Sequence, residues 1–297
     1  MRLVTFGPAG AEQPGVLVNG DTVVALAPYL RAVGAQSADP TLAIGLLPTV
    51  RDLVVADVTA GRAAGIPVAQ VRLGPPVPRP TKIVEVGWNT RSLVRVADFT
   101  PTSTPALYAK PPNTISGPHD PILLPAETKK LDYEVELGVV IGKRCRRVPK
   151  DRALDYVAGY VVANDLTARD MQFGEFENGR FHRQNFHSKA FDTTCPIGPC
   201  LVTPDEIADP GNLRIQTFVN GEARQDGSTN ELLWDIPSLI EDIARCMTLE
   251  VGDLILTGSP AGVGYYLDPP TFLAPGDVVV GEIEGVGRIE NRVRADA

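Results

Sequence analysis

The chain of 297 residues is short of the residue types on which several common chemistries rest. Its four cysteines, Cys145, Cys195, Cys200 and Cys246, include no C-x-x-C pair. A disulfide framework and a thiolate zinc site are both disfavoured, and free thiols in a reducing compartment are expected. There are three histidines, His119, His182 and His187. The last two share neither a helix face nor a strand face, which argues against a local two-histidine metal site. No H-E-x-x-H or G-x-S-x-G occurs, and the one glycine-rich turn has no P-loop lysine. No apolar run approaches the roughly eighteen residues of a membrane span. The first residues, MRLVTFGPAG, lack the basic-then-apolar pattern of a signal segment, so a cytoplasmic location is expected. No Lys/Arg-rich run appears and the net charge is -8, so no nucleic acid and no membrane surface is expected as a partner.

Glycine (28) and proline (27) are plentiful, which favours many short strands and turns over long helices. Residues 1–75 read as a small α/β unit: RLVTF, then GVLV and TVVAL around the turn Asn19-Gly20, with helical spacing in LAPYLRAVG and PTVRDLVVAD. The proline-rich GPPVPRPTK suits a semi-rigid linker. Residues 76–297 form the second unit. KIVEVGW, PALYAK, PILLP, YEVELGVVIGK, YVAGYVVAND, LRIQTFVNGEARQ, DLILTG, DVVVGEIEG and RIENRV read as strands, with a hairpin turn at Asn220-Gly221. Helical spacing is confined to PSLIEDIARCMTL and the stretch 149–156. Strands with few crossover helices predict an α+β, mainly β, barrel-like or roll architecture rather than a doubly wound parallel sheet.

In LDYEVELGVVIGK, Glu134 and Glu136 are two apart and point to the same side of a strand that continues as a buried apolar run. Two such carboxylates repel unless a cation neutralises them; a solvated strand start is the alternative. YVAGYVVAND ends its apolar run at Asp165, at a strand's carboxyl end; an N-cap on a helix from Leu166 is the alternative. Together the three make an oxygen site for a hard divalent ion, a Lewis acid for a small 2-oxo acid. Lys189 is a cation for substrate or a snorkelling side chain. Gln172 positions a water or lies on the surface. Gly258 and Ser259 in ILTGSPAGVG offer a backbone cradle for a carboxylate or form a plain turn. Arg169 is counted with them as a substrate-binding candidate, with a surface ion pair to Asp170 as its alternative. GEFENGRFHRQNF reads as a lid or a surface loop.

These segments, in this order over roughly residues 80–295, resemble the fumarylacetoacetate hydrolase superfamily. The carriers are KIVEVGWN, ALYAKPPNTISGPHDPILLP, DYEVELGVVIGK, GYVVANDLTARDMQ, SKAFDTTCPIGP, VNGEARQDGST and DLILTGSPAGVG. The leading unit is similar to the small N-terminal domain of bacterial members. The resemblance implies a mixed β-roll catalytic domain, a homodimer, a small acidic substrate, and Mg²⁺ or Mn²⁺, with Ca²⁺ a candidate occupant in a crystal. It matches Glu134 and Glu136 to the E-x-E ligands, Asp165 to the third ligand, Lys189 to a substrate-contacting lysine and Gln172 to a glutamine near the attacking water. Ser259 stands where T-G-T-P members carry threonine. One departure matters. Hydrolytic members read G-x-N-Y-x-x-H-x-x-E, and here the ungapped match puts Leu93 at the histidine and Val96 at the glutamate; neither moves a proton. His182 or His187 is a candidate substitute. The implied reading is a metal-dependent enzyme acting on a C–C bond of a 2-oxo or β-diketo acid. The alternatives are an isomerase, tautomerase or hydratase, and a catalytically weakened binding protein.

Overall fold

The structure, a computed structural model, describes residues 1–174 and 184–296. The strand Val135–Ile141 carries an unbroken apolar stretch because both its faces are covered. It pairs antiparallel with Val157–Asn164 on one side and Leu254–Leu256 on the other. Gly138 is required there, since a Cβ would come within 2.6 Å of a Val161 methyl. These three are central in a twelve-stranded sheet among the described residues. From them the sheet runs through Ile83–Gly87 to Ala106–Lys110 in one direction. In the other it runs through Cys195–Val202, Arg2–Phe6, Gln13–Val18 and Thr22–Ala25 to Gly65–Pro67. The pairing of Arg2–Phe6 with Cys195–Val202 makes the sheet continuous between the first 75 residues and the rest.

A five-stranded sheet is ordered Glu222–Ser228, Arg214–Val219, Val278–Ile283, Gly287–Ala295, Ile122–Leu124. Its hairpin turns at Asn220 and Gly221, whose φ angles of 53° and 81° are those of a type I′ turn. Helices are few. Ile236–Cys246 buries Ile236, Leu239, Ile240 and Ile243, a stripe at helical spacing, and Asp235 caps it by accepting from the Ser238 amide. Pro40–Thr59 is capped the same way by Asp39. The chain is therefore α+β and mainly β, as the strand-rich sequence predicts. No described helix is long and apolar enough to cross a membrane.

The strand Cys195–Val202 is the element that the sequence pattern hides. Pro196 and Pro199 interrupt it and normally demote such a run. Here the register shift between Tyr160 and Val162 on the neighbouring strand absorbs the irregularity. Cys145, Cys195 and Cys200 are buried and Cys246 exposed, all as free thiols.

Candidate active site

Four strand ends deliver charge to one buried cluster. Glu85 lies in Ile83–Gly87, Lys110 ends Ala106–Lys110, Glu134 and Glu136 sit at the entry to Val135–Ile141, and Asp165 follows Val157–Asn164. All are at most 7% exposed. Ladder geometry sets their spacing: Asn164 accepts from the Glu134 amide at 3.0 Å, and the Asp165 amide donates to the Glu134 carbonyl at 2.8 Å. Glu134 and Glu136 do share a side, and it is buried, not solvated. Asp165 caps no helix. Thr167–Ala168 pair with Leu131–Asp132 instead, and the short helix Arg169–Gln172 starts after them.

Lys189 is the hub. Its ammonium contacts Asp165, lies 3.0 Å from Glu134 Oε2 and 3.5 Å from Glu85 Oε2. It is buried, so it does not snorkel. Burial alone would lower its pKa, but Asp165, Glu134 and Glu85 outweigh that and hold it well above the usual lysine value. Lys110 adds a second ammonium, 3.0 Å from Asp165 Oδ1. Arg169 is 4% exposed and pairs with Asp132 at 2.9 Å and Glu134 at 2.9 Å, while its third nitrogen donates to the Gln172 amide oxygen at 2.8 Å. The surface pair with Asp170 does not form. Asp170 turns the other way and accepts from Thr128 Oγ1 and the Lys129 amide, because Arg169 is drawn inward by two buried carboxylates.

The carboxylates are not equivalent. Burial raises Glu134, but Arg169 and Lys189 overcome it and bring its pKa below the ordinary range. Burial, then Asp165 and Glu134, push Glu136 well up, against the opposing charge of Lys189 and one hydrogen bond from the Gly258 amide at 2.6 Å. Burial and Asp165 push Glu85 up to about 7. Gly258 has φ 105°, and a Cβ there would come within 2.8 Å of Asn89. Asn89 ties the two loops by donating to the carbonyls of Thr257 and Trp234.

Among the described residues no three carboxylates, cysteines or histidines converge ready-made on one metal position. The donor set nevertheless fits a hard divalent ion. Glu85, Asp132, Glu134, Glu136 and Asp165 face the three cations Lys110, Arg169 and Lys189, so the fully ionised cluster lacks two positive charges. The raised Glu85 and Glu136 express that shortage. Lys189, shared by Glu134 and Asp165, is the cation that an ion would compete with.

A cavity opens onto this cluster. Glu85, Glu134, Glu136, Asp165, Arg169, Gln172, Lys189 and Ser259 line it, together with Trp88, Leu93, Tyr108, Phe173 and Tyr266. Ser259 Oγ and Glu85 Oε1 are buried without a hydrogen-bond partner among the described residues. Thus Lys189, Gln172, Ser259, Arg169 and the three proposed ligands meet in one place, and Gly258 contributes its amide to Glu136. Leu93, on the short helix Arg91–Val96, is in the lining, whereas Val96 is 49% exposed. His187 is exposed and outside the cavity lining. His182 and most of the lid candidate fall in 175–183, outside the described residues.

Sequence reasoning missed Glu85, Lys110, Asp132 and Asn164. Glu85 had a signal, a lone charge inside the apolar strand KIVEV. Asp132 also had one, an acidic residue two positions before Glu134 in the same alternation.

A model of the fumarylacetoacetate hydrolase C-terminal region matches residues 82–294. The mitochondrial oxaloacetate tautomerase Fahd2a of Rattus norvegicus is 39% identical over 301 residues, spanning 99% of this chain and 91% of that protein. The oxaloacetate tautomerase YisK of Bacillus subtilis is 41% identical over 230 residues, 76% of this chain and 74% of its own. The crystal structure of maleylpyruvate hydrolase from Sphingobium sp. SYK-6, in complex with manganese (II) ion and pyruvate, superposes with a TM-score of 0.82. It is 31% identical, and both chains are wholly covered.

Proposed function

Because the chain belongs to the fumarylacetoacetate hydrolase family, we propose that it interconverts the enol and keto forms of a small 2-oxo acid, with Glu134, Glu136 and Asp165 as ligands of Mg²⁺ or Mn²⁺. The observation that carries this reading is Leu93 in the cavity lining, with Val96 turned to solvent. Hydrolysis of a C–C bond needs a group that activates water, and neither position supplies one. Tautomerisation needs none: one proton leaves the enol oxygen, one arrives at C3, the C2=C3 π bond becomes the C2=O π bond, and no σ bond to carbon other than C–H is made or broken. This reverses the order expected from the sequence, where C–C cleavage came first. The names of two relatives over most of the chain support the same order.

A divalent cation would supply Lewis acidity at the 2-oxo acid. The chain's own residues do the rest. Ser259 Oγ offers an unengaged hydroxyl to a substrate oxygen. Arg169 fixes Gln172 through its amide oxygen, which leaves the Gln172 amide nitrogen as a donor. Lys189 holds positive charge where negative charge develops on the enol oxygen. Glu85, whose Oε1 is buried without a hydrogen-bond partner among the described residues and whose Oε2 lies 3.5 Å from Lys189, is placed to take and return a proton.

The test is the decay of enol absorbance of oxaloacetate and of an aryl-substituted 2-oxo acid, with Mn²⁺ present, beside cleavage assays on acylpyruvates and maleylpyruvate. Enol decay accelerated at least about 100-fold over buffer is expected of acid–base catalysis, and its loss in Lys189→Met of the removed positive charge at the enol oxygen. Cleavage of an acylpyruvate or maleylpyruvate without enol turnover would replace this reading by hydrolysis.

A further inference from the structure

The charged groups account for one share of the cavity lining; the other share is Trp88, Leu93, Tyr108, Phe173 and Tyr266. Among the described residues the cations in the lining are Arg169 and Lys189, and both already pair with carboxylates of the chain. Among the described residues, the second carboxylate of a short diacid that lay beyond the reach of Arg169 and Lys189 would meet aromatic rings and an aliphatic side chain, which do not replace its water. A flat apolar group gains from the same surroundings by burial and ring packing.

This lining is also pre-shaped. Trp88 has φ 49°, a conformation a tryptophan adopts only when its surroundings impose it. Asn89, next in the chain, imposes it through hydrogen bonds to Thr257 and to both backbone groups of Trp234. Phe99 stacks on the indole with centroids 4.7 Å apart and planes 12° apart, and Tyr108 meets it edge-on at 6.1 Å. A wall held from behind in this way keeps its shape when the cavity is empty of substrate.

We infer that the preferred substrate carries a flat apolar substituent at C3, an arylpyruvate-class 2-oxo acid rather than a short dicarboxylate. The inference rests on the tautomerase reading for its reaction but not for its binding claim.

The experiment uses the full chain with Mn²⁺ and two probes, phenylpyruvate and oxaloacetate. Affinity is followed by quenching of tryptophan fluorescence and turnover by enol decay. Phenylpyruvate is expected to bind at least about 10-fold more tightly and to have the higher kcat/KM, as one good ring contact implies. Trp88→Ala should weaken phenylpyruvate, chiefly through KM. Leu93→Arg, which adds a cation to the apolar lining, should shift preference toward oxaloacetate and guards against a Trp88 variant that fails to fold. Tight phenylpyruvate binding without turnover of either enol leaves this inference standing and removes the tautomerase. Oxaloacetate bound and turned over as well as phenylpyruvate overturns the inference and leaves the tautomerase standing.

Discussion

The carboxylates of the buried cluster and most of the apolar lining of the cavity are made from different kinds of chain. Glu85, Glu136 and Lys110 lie within or at the end of sheet strands, and Glu134 and Asp165 are each one residue outside one. Each is fixed by a ladder on its backbone and by ion pairs or a hydrogen bond on its side chain. Trp88, Leu93, Phe173 and Tyr266 come from a turn, a short helix, the end of another and a 3₁₀ turn, and most are only half-buried; Tyr108, on the strand Ala106–Lys110, is the exception. Residues in the first group cannot change without disturbing their neighbours' charge. Residues in the second can, because what they contribute is shape and apolarity. The fold thus separates the groups that would do chemistry from those that would choose the substrate, and Leu93 in place of a histidine is a change confined to the second group.

The contrast breaks most visibly at Asp165. Asp165→Ala leaves Lys110 and part of Lys189 buried without their partner, and removing one member of a buried ion pair costs about 3–5 kcal/mol. Chemical denaturation of the metal-free protein should show a loss of that size, and a loss below about 1 kcal/mol would mean that the cluster is hydrated. Next comes the metal. Mn²⁺ at about 100 times its Kd should stabilise wild type by about 2.7 kcal/mol. Glu136→Gln, which relieves a carboxylate held up by burial and by Asp165 and Glu134, should not weaken the metal-free protein but should erase that gain. An equal Mn²⁺ shift in both proteins removes Glu136 from the ligand set.

The pH dependence is the third effect. The folded Glu85 keeps its proton up to about 7, whereas an unfolded glutamate releases it near 4.3. Between those values the native state binds more protons, so stability of the metal-free protein falls as pH rises through the window, by at most about 1.4 kcal/mol per unit from this group. Glu136 acts in the same direction. Glu134, lowered by Arg169 and Lys189, acts oppositely, and its contribution is lost only as pH falls below the ordinary carboxylate range. Glu85→Gln should flatten the decline; an unchanged slope would assign it elsewhere.

The same division explains what the sequence made legible. The E-x-E spacing, the apolar run after it and the aspartate at a strand's end identify three members of the charged share, because strand periodicity fixes which side each faces. Lys110 was not legible, since nothing in ALYAK tells that its end meets Asp165, fifty-five positions on, across strands that are not neighbours. The alternative reading of Arg169, a surface pair with its neighbour Asp170, fails for the same reason: local sequence suggests local partners, and Asp132 approaches only through the pairing with Thr167–Ala168. The apolar share had no periodic signal at all. Trp88 enters the lining through a positive φ, and no pattern of residue types announces that conformation at a tryptophan.

The smallest effect tests whether that share is as independent as its construction implies. Phe99 is outside the cavity lining and stacks on Trp88. Aromatic pairs are worth about 0.5–1.5 kcal/mol beyond their burial, so Phe99→Ala should raise the KM for an aryl-substituted substrate by roughly 2- to 12-fold as the indole loosens. Ligand-free Mn²⁺ affinity should not move, because among the described residues no hydrogen bond or ion pair of the charged cluster passes through Phe99. Calorimetric titration with Mn²⁺ beside steady-state kinetics reads both quantities on one preparation. A fall in Mn²⁺ affinity matching the rise in KM would show that the two shares move together, through Asn89 and the Gly258 amide that donates to Glu136.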